Sequence, residues 1–230
     1  MTTIAIIPAK GASEELPRKN LAILGDKPLI VHTIEDALNS ELIDKVVVST
    51  EDAEIGDVSK EAGAEVIFRP RWLCEPHSRA EEAIEHALYV LESQGKSFDI
   101  VALLQCTSPF RRPNDLDNAI KLFKEQAFNS LFSACEIKQF LWRKNALSQL
   151  IRIGDDMRVR PMRQDKSSVL IENGSFWITK TFVYKNFHNR LLDKVGKFGQ
   201  PNWCGIEIDT MEDLELCRIL LPWLTKSGLV

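Results

Sequence analysis

Short runs of consecutive apolar residues alternate along the chain with segments in which apolar residues recur every three or four positions. The apolar runs predict buried strands, and the helical spacing predicts amphipathic helices between them. The predicted strands are IAII at 4–7, KVVVST at 45–50, AEVIF at 64–68, DIVALLQ at 99–105, SLFSACEI at 130–137 and ENGSFWITK at 172–180. Buried strands that alternate with helices indicate an α/β fold, with a Rossmann-like, mostly parallel sheet covered by helices on both faces.

Four residues or pairs with helix-capping chemistry mark where the predicted helices begin. Asp26 with Pro28 precedes LIVHTIEDALNS, Asp52 precedes AEIGDVSK, and Pro113 opens NDLDNAIKLFKE. Thr210 and Asp213 form a capping box that uses Asp in place of the usual Glu or Gln. Each of these four signals places the start of a helix directly after a predicted strand or loop.

The alternating pattern is interrupted at residues 138–168, which are rich in Arg, Gln and Lys and carry isolated apolar side chains. We interpret this segment as an arm that leaves the sheet and contacts another subunit. Residues 1–137 and 169–230 then form one α/β domain, with the arm inserted in it.

Composition excludes several classes of function. The net charge of −4 gives no basic surface for nucleic-acid binding. No apolar stretch reaches membrane-spanning length, and the start MTTIAIIPAK lacks the layout of a signal peptide. The five cysteines are scattered, and the four histidines form no metal-binding motif. These features predict a cytoplasmic protein with free thiols and no zinc site.

Ligands of open α/β sheets bind beyond the carboxyl ends of the strands. The loops that start near Lys10, Thr50, Arg69 and Gln105 follow predicted strands. We therefore expect these four loops to line one cleft.

The first of these loops is AKGASEELPRKN, residues 9–20. Lys10, Arg18 and Lys19 supply positive charge, and Gly11 allows backbone amides to approach a phosphate. The loop is neither GxGxxG nor GxxxxGK[ST], so it does not indicate a dinucleotide site or a P-loop. Glu14 and Glu15 place negative charge in its middle.

Two further motifs carry hydrogen-bonding groups. LLQCTSPFR at 103–111 brings an amide and two hydroxyls to the end of a buried strand, where they can bind a base or a sugar: Gln105, Thr107 and Ser108. RPMRQ at 160–164 offers guanidinium groups suited to a carboxylate or phosphate. Taken alone, RPMRQ is more typical of a solvated or interface charge run.

The fourth motif is Glu207-Ile208-Asp209. Residues two apart in a strand face the same side, so the two carboxylates can share one Mg²⁺ with waters and phosphate oxygens. An isolated acid-x-acid pair is more often a solvated strand edge. The four motifs gain their meaning in combination.

In order and spacing, IIPAKGAS, LPRKN, VVVSTEDAEI, LLQCTSPFR, RPMRQ, ENGSFWITK and EIDTMEDLE resemble the CMP-sialic acid synthetases, or N-acylneuraminate cytidylyltransferases, over nearly the whole chain. The resemblance implies transfer of CMP from CTP to the anomeric oxygen of a sialic acid or related nonulosonic acid, with Mg²⁺ as cofactor and release of pyrophosphate. It does not identify the sugar, because related families activate legionaminic and pseudaminic acids. The Kdo cytidylyltransferases are more distant relatives.

The resemblance assigns catalytic roles to three residues: Lys10, Lys19 and Arg163. It implies substrate contacts for twelve more: Gly11, Ala12, Ser13, Asn20, Arg69, Ser78, Gln105, Thr107, Ser108, Arg160, Gln164 and Asn173. It implies metal ligation by Glu207 and Asp209.

By the same resemblance the chain forms a homodimer or a dimer of dimers, in which residues 138–168 reach the partner's active site. The sequence departs from the family at three acidic positions. Glu14 replaces a usual lysine, Glu15 a glycine, and Glu207 an aspartate. Like charge near a triphosphate is repulsive, so we expect weaker CTP binding than in the relatives. Two alternatives stay open: a Kdo-type cytidylyltransferase, and a homologue that binds nucleotide without turnover.

Overall fold

The computed structural model describes residues 1–13, 15–153 and 158–230. The strands are β1 Thr3–Pro8, β2 Ile23–Leu24, β3 Lys27–Pro28, β4 Lys45–Thr50, β5 Glu65–Phe68, β6 Ile100–Leu104, β7 Ser130–Ile137, β8 Leu141–Lys144, β9 Leu150–Ile153, β10 Val169–Lys180 and β11 Val195–Gln200. The α-helices are α1 Leu29–Leu38, α2 Ala53–Glu61, α3 Ala80–Ser93, α4 Asp115–Glu125, α5 Thr181–Phe187 and α6 Met211–Lys226.

Among the described residues, seven strands form the central sheet in the order β11-β7-β10-β6-β1-β4-β5. β1 pairs in parallel with both β4 and β6, while β10 runs antiparallel to β6 and β7. The predicted mostly parallel α/β sheet is therefore confirmed. All six predicted strands are present in it: β4 and β7 match their predicted limits, and the ends of the other four are shifted by one to three residues.

The sheet is buried on both faces. Successive side chains of β1 point to opposite sides, so Ile4 and Ile6 enter one apolar cluster while Ala5 and Ile7 enter the other. Each fully buried aliphatic side chain of this size contributes roughly 1.5–3 kcal/mol. This double burial explains why the strands read as continuous apolar runs rather than alternating ones.

A third apolar cluster joins α6 to the segment that follows the first loop. Leu214, Cys217 and Leu224 of α6 pack with Leu16 and Leu24. The last helix therefore supports the exit of the loop at residues 9–20, which is far from it in sequence.

Two of the predicted helix starts are confirmed. Asp52 accepts a 3.0 Å hydrogen bond from the Ile55 amide, and Thr210 and Asp213 form the capping box of α6. The other two are wrong by a few residues. Pro28 itself, not Asp26, precedes the first helical residue of α1, and Asn114, not Pro113, precedes α4.

β8 and β9 pair as an antiparallel hairpin outside the main sheet. They lie within residues 138–168, and residues 154–157 of that segment lie outside the described part of the chain. The hairpin exposes apolar side chains that include Trp142 and Leu150. Its role in subunit contact stays a prediction.

All five cysteines are free thiols. Within the described residues, helices that are long and apolar enough to cross a bilayer do not occur.

Candidate active site

The loops that follow β1, β4 and β5 are joined by a carboxylate. The backbone amide of Gly11 donates a 2.7 Å hydrogen bond to Oε1 of Glu51. The other oxygen of Glu51 lies 3.6 Å from Nη2 of Arg69. Gly11 and Arg69, both predicted to contact the nucleotide, are thus brought together, as the shared-cleft prediction requires.

Cys74 completes this cluster. Its thiol donates a 2.9 Å hydrogen bond to Oε2 of Glu51 and accepts one of 2.9 Å from Nε of Arg69. Burial opposes ionisation of Glu51, but the bonds from Cys74 and the Gly11 amide lower the pKa of its carboxyl. Burial and the neighbouring Glu51 raise the pKa of the Cys74 thiol. Glu51 is therefore a carboxylate and Cys74 a neutral donor.

Sequence reasoning missed both residues. The signal for Glu51 was present, because it directly follows the buried strand β4, where ligand-binding side chains of parallel sheets lie. No sequence signal pointed to Cys74.

A cavity of about 440 Å³ opens beside this cluster, within the size range of small-molecule sites. It is lined by Gly11, Ala12, Arg18, Glu51, Asp52, Arg71 and Cys74. A second cavity of about 460 Å³ lies between α1 and the start of α4, and its lining contains none of the predicted site residues. The two cavities have nearly equal volumes. Only the chemistry of the lining residues favours the first one as the candidate site.

The exit of the loop at residues 9–20 meets the acidic pair. Nζ of Lys19 lies 2.7 Å from Oδ1 of Asp209, although the two residues are 190 positions apart. The Ile208 amide donates a 2.7 Å hydrogen bond to the Thr107 carbonyl, which fixes the acidic segment against the loop after β6. Lys19, Thr107 and Asp209 therefore share one region.

The expectation that Glu207 and Asp209 lie in a strand is wrong. Residues 206–209 form an irregular extended segment between a short 3-10 helix, Asn202–Gly205, and α6. Ile208 is nevertheless buried while Glu207 and Asp209 are exposed. The two carboxylates keep the shared side that the strand argument required.

Glu207 and Gln105 converge at Gly174. A Cβ atom built on Gly174 would lie 1.7 Å from Oε1 of Glu207 and 2.9 Å from Oε1 of Gln105. Desolvation and the charge of Asp209 raise the pKa of Glu207, and Lys19 partly offsets them. Glu207 is thus destabilised as an anion by the charge of Asp209, and a cation would relieve this repulsion.

This arrangement fits Mg²⁺. The ion prefers six oxygen ligands and is often held by one or two carboxylates together with waters and substrate phosphates. Glu207 and Asp209 supply two such groups. In the described residues there is no cluster of three or more His, Cys, Asp or Glu side chains that could hold a metal. A metal held by Glu207 and Asp209 would take its remaining ligands from water and substrate.

Within the loop itself, the Asn20 side chain donates a 2.9 Å hydrogen bond to the Lys10 carbonyl. Arg18, which has a left-handed backbone, pairs with Asp52 and Glu54. Lys10 and Ser13 are half-buried, whereas Ala12 and Glu15 are exposed. Glu14, expected to weaken CTP binding, lies outside the described residues. The loop is therefore held by one internal hydrogen bond and by ion pairs of Arg18 with the segment after β4.

The other predicted nucleotide contact, Ser78, is half-buried and donates a 3.2 Å hydrogen bond to the Trp72 carbonyl. Its hydroxyl oxygen retains acceptor capacity. A role in nucleotide binding stays a prediction.

Ser108 and Asn173 are placed behind the cleft rather than in it. Both are buried, and the Ser108 hydroxyl donates a 3.3 Å hydrogen bond to the Asn173 carbonyl. The Asn173 amide donates a 2.8 Å bond to Oε1 of Gln200. These contacts do not support direct substrate binding by either side chain. They hold the bend of β10 that presents Gly174.

Arg111 also makes buried contacts that hold neighbouring backbone in place, and the sequence did not predict this role. It is buried and donates hydrogen bonds of 2.9 Å to the Gln105 carbonyl and 2.8 Å to the Ser175 carbonyl. It also lies 3.2 Å from Asp36. Arg111 therefore positions Gln105 and Ser175 from below, which explains an arginine at the end of LLQCTSPFR.

The three polar residues predicted in the arm are not brought to this site within one chain. The Arg160 guanidinium lies 4.4 Å from the Phe140 ring centre, and Arg163 and Gln164 are exposed. In the described part of the chain, no hydrogen bond or ion pair joins their side chains to the residues above. Their roles in substrate contact stay a prediction.

Comparisons with known proteins show the family to which the chain belongs. The profile of the cytidylyltransferase family matches residues 4–186. The pseudaminic acid cytidylyltransferase of Campylobacter jejuni strain 81-176 is 32% identical, with 96% of each chain covered. The N-acylneuraminate cytidylyltransferase of Escherichia coli is 38% identical over 66% of this chain and 34% of its own length.

Among solved structures, a CMP:2-keto-3-deoxy-manno-octonic acid synthetase in complex with CTP has the same fold, with a TM-score of 0.73 and 19% identity. The match covers 97% of this chain and 99% of the solved chain. The fold and site define a nucleotidyltransferase of the nucleotide-sugar type. The chain belongs to the cytidylyltransferase family, and within it to the nonulosonic acid cytidylyltransferases.

Proposed function

We propose that this enzyme transfers CMP from CTP to the anomeric hydroxyl of a nonulosonic acid and releases pyrophosphate. The observation that carries the proposal is the meeting of Lys19 with Asp209 beside Glu207, at the end of the loop that begins with Gly11. A cationic loop beside a carboxylate pair suits a triphosphate and its metal. The similarity to the Campylobacter enzyme over nearly the full length of both chains supports the same reaction class.

In this reaction the anomeric oxygen forms a bond to the α-phosphorus, and the bond from that phosphorus to the α–β bridging oxygen breaks. Both reactants are anionic, so positioning and cations supply most of the rate enhancement. Lys10 and Lys19 are suited to holding the triphosphate and stabilising charge on the leaving pyrophosphate. Ala12 and Ser13 place further backbone amides along the same loop, while the Gly11 amide is bonded to Glu51.

Glu207 and Asp209 are the residues that would hold Mg²⁺. When bound there, the ion would neutralise phosphate charge and lower the pKa of the attacking hydroxyl. Lys19, which pairs with Asp209, would keep that carboxylate oriented. Gln105, beside Glu207, is placed to hydrogen-bond ligand groups at the junction of nucleotide and sugar.

We further propose a homodimer formed through residues 138–168. Arg163 and Gln164 are exposed on that segment, and a guanidinium can pair with a sugar carboxylate in a forked geometry. In a dimer, Arg160, Arg163 and Gln164 could serve the partner's site.

Pyrophosphate release tests the reaction directly. The enzyme is incubated with CTP, Mg²⁺ and, separately, pseudaminic, N-acetylneuraminic, N,N'-diacetyllegionaminic and 2-keto-3-deoxy-manno-octonic acids. Release with at least one nine-carbon acid, and at least tenfold less with the eight-carbon acid, is the expected result. Preference for the eight-carbon acid would establish the Kdo-type alternative. CTP binding without release with any acid would establish a non-catalytic homologue.

A further inference from the structure

The last helix carries an apolar stripe on the side that faces away from the core. Leu214, Cys217 and Leu224 point inward, whereas Ile219 is 76% exposed and Trp223 is 55% exposed. Leu216 is 50% exposed on the same side. Contiguous exposed apolar side chains of this size are uncommon on a monomer and mark interaction surfaces.

The stripe has the spacing of a helix–helix contact. Its five positions are Glu212, Leu216, Ile219, Trp223 and Lys226, a 4-3-4-3 pattern. At 3.6 residues per turn these positions fall within an arc of about 80°. A narrow seam of this period is the pattern by which two helices pack along their length.

Charge along the seam selects both the partner and its direction. Glu212 and Lys226 lie seven residues before and after Ile219, the most exposed of the three apolar residues. In an antiparallel pair of identical helices with the two-fold axis at Ile219, each Glu212 faces the other copy's Lys226. Leu216 then meets Trp223, and Ile219 meets itself. A parallel pair would oppose glutamate to glutamate and lysine to lysine.

The charges that flank the seam are already paired within the chain. Nη1 of Arg218 lies 2.6 Å from Glu215, and its other guanidinium nitrogens donate to the Ile23 carbonyl at 3.1 and 2.8 Å. Glu215 and Arg218 therefore do not compete with Glu212 and Lys226 for partners across the seam. A two-fold contact between identical surfaces is also the commonest form of self-association.

We propose that α6 is a second self-association surface, on which two copies of the chain pack antiparallel about Ile219. Together with a dimer through residues 138–168, this contact would build a dimer of dimers. The surface lies on the exposed side of α6 and takes no part in the proposed chemistry. Its existence is therefore independent of the proposed reaction.

The first test is the mass of the full-length protein at micromolar concentration, measured by light scattering. Ile219→Asp is expected to halve the mass of wild type and to leave CTP turnover and thermal unfolding unchanged, because an exposed side chain is replaced. Equal masses for the two proteins, or a monomeric wild type, would overturn the proposal.

The second test reads the two-fold axis. Ile219→Cys places two thiols at the axis, and mild oxidation is expected to form a covalent dimer. Thr225→Cys, which is exposed on α6 away from the seam, is the control and is expected to stay uncrosslinked. Equal crosslinking of the two variants, or crosslinking of neither, rules out the arrangement.

The third test reads the direction. Glu212→Lys and Lys226→Glu are each expected to weaken association about tenfold, because two attractive pairs become repulsive. The double variant restores opposite charges and is expected to return within about threefold of wild type. If the double variant does not recover, the seam binds another segment or protein and not a second α6.

Discussion

The backbone amide of Gly11 donates a hydrogen bond to the carboxylate of Glu51, 40 residues away. The same carboxylate accepts a hydrogen bond from the Cys74 thiol and lies beside the Arg69 guanidinium. Glu51 thus orders the loop and the guanidinium on which nucleotide binding is proposed to depend, and it does so as an anion near the proposed triphosphate site.

Two substitutions separate these effects. Glu51→Gln keeps an oxygen for the Gly11 amide and removes the charge, so CTP affinity is expected to stay equal or to rise. Glu51→Ala removes the acceptor and is expected to weaken CTP binding about tenfold, since a hydrogen bond to a charged group contributes roughly 1.5–3 kcal/mol. Calorimetric titration with CTP measures both. Tighter binding by Glu51→Ala would instead show that the carboxylate competes with phosphate.

Asp209→Ala is expected to lower the rate of pyrophosphate release at least about a hundredfold, because loss of a metal ligand removes several kcal/mol of charge stabilisation. Its unfolding temperature should stay near that of wild type, since the side chain is exposed. Asp209→Glu is the matched control and should retain part of the activity. A near-normal rate in the alanine variant would place the metal elsewhere.

The pKa of Glu207 can be measured by NMR titration of the metal-free protein. It is expected to lie above the usual glutamate value, to fall in Asp209→Asn and to rise further in Lys19→Met, because Asp209 raises it and Lys19 lowers it. Mg²⁺ binding should therefore weaken as pH falls through that raised pKa. An unshifted value in all three proteins would contradict the geometry.

The same shift has a consequence for stability. A carboxyl whose native pKa exceeds its unfolded value stabilises the fold below the unfolded pKa, and this contribution is lost as pH rises through the native pKa. At pH 7 Glu207→Gln is therefore expected to raise the free energy of unfolding, by less than about 1 kcal/mol because solvent screens the side chain. Chemical denaturation at pH 7 and pH 4 checks the sign.

Gly174 has a φ of +68° and leaves no room for a Cβ beside Glu207. Gly174→Ala is expected to cost about 1–3 kcal/mol of stability and to displace Glu207, so turnover should fall as well. Gly95→Ala is the matched control, because Gly95 has a φ of +76° with no atom within 4 Å of the added carbon. It should lose stability only. Equal turnover in both variants would show that Gly174 does not shape the proposed site.

Leu150 is 60% exposed on the β8–β9 hairpin and pairs in register with Lys144. Leu150→Asp is expected to halve the mass of the protein at micromolar concentration, because a buried interface would have to accept a charge. Lys144→Asp changes the paired position without removing apolar surface and should have a smaller effect. Sedimentation of both variants and of Ile219→Asp distinguishes the hairpin contact from the α6 contact.

The sequence determined the mostly parallel sheet, because strands buried on both faces are predominantly apolar. β4 and β7 match their predicted limits for this reason. Caps with a side-chain acceptor, such as Asp52 and Thr210, were equally readable. The family motifs also indicated which loops carry chemistry, since charged and hydroxyl residues directly follow buried strands.

Only the tertiary structure decided which of those residues meet. Lys19 and Asp209 are 190 positions apart, and no local pattern encodes their 2.7 Å contact. Ser108 and Asn173 carry the same kinds of polar group as the proposed site residues, but both side chains are buried. Glu51 is one acidic residue among many until the fold sets it against Gly11. Propensity and periodicity act over a few residues, whereas a site is made where distant segments converge.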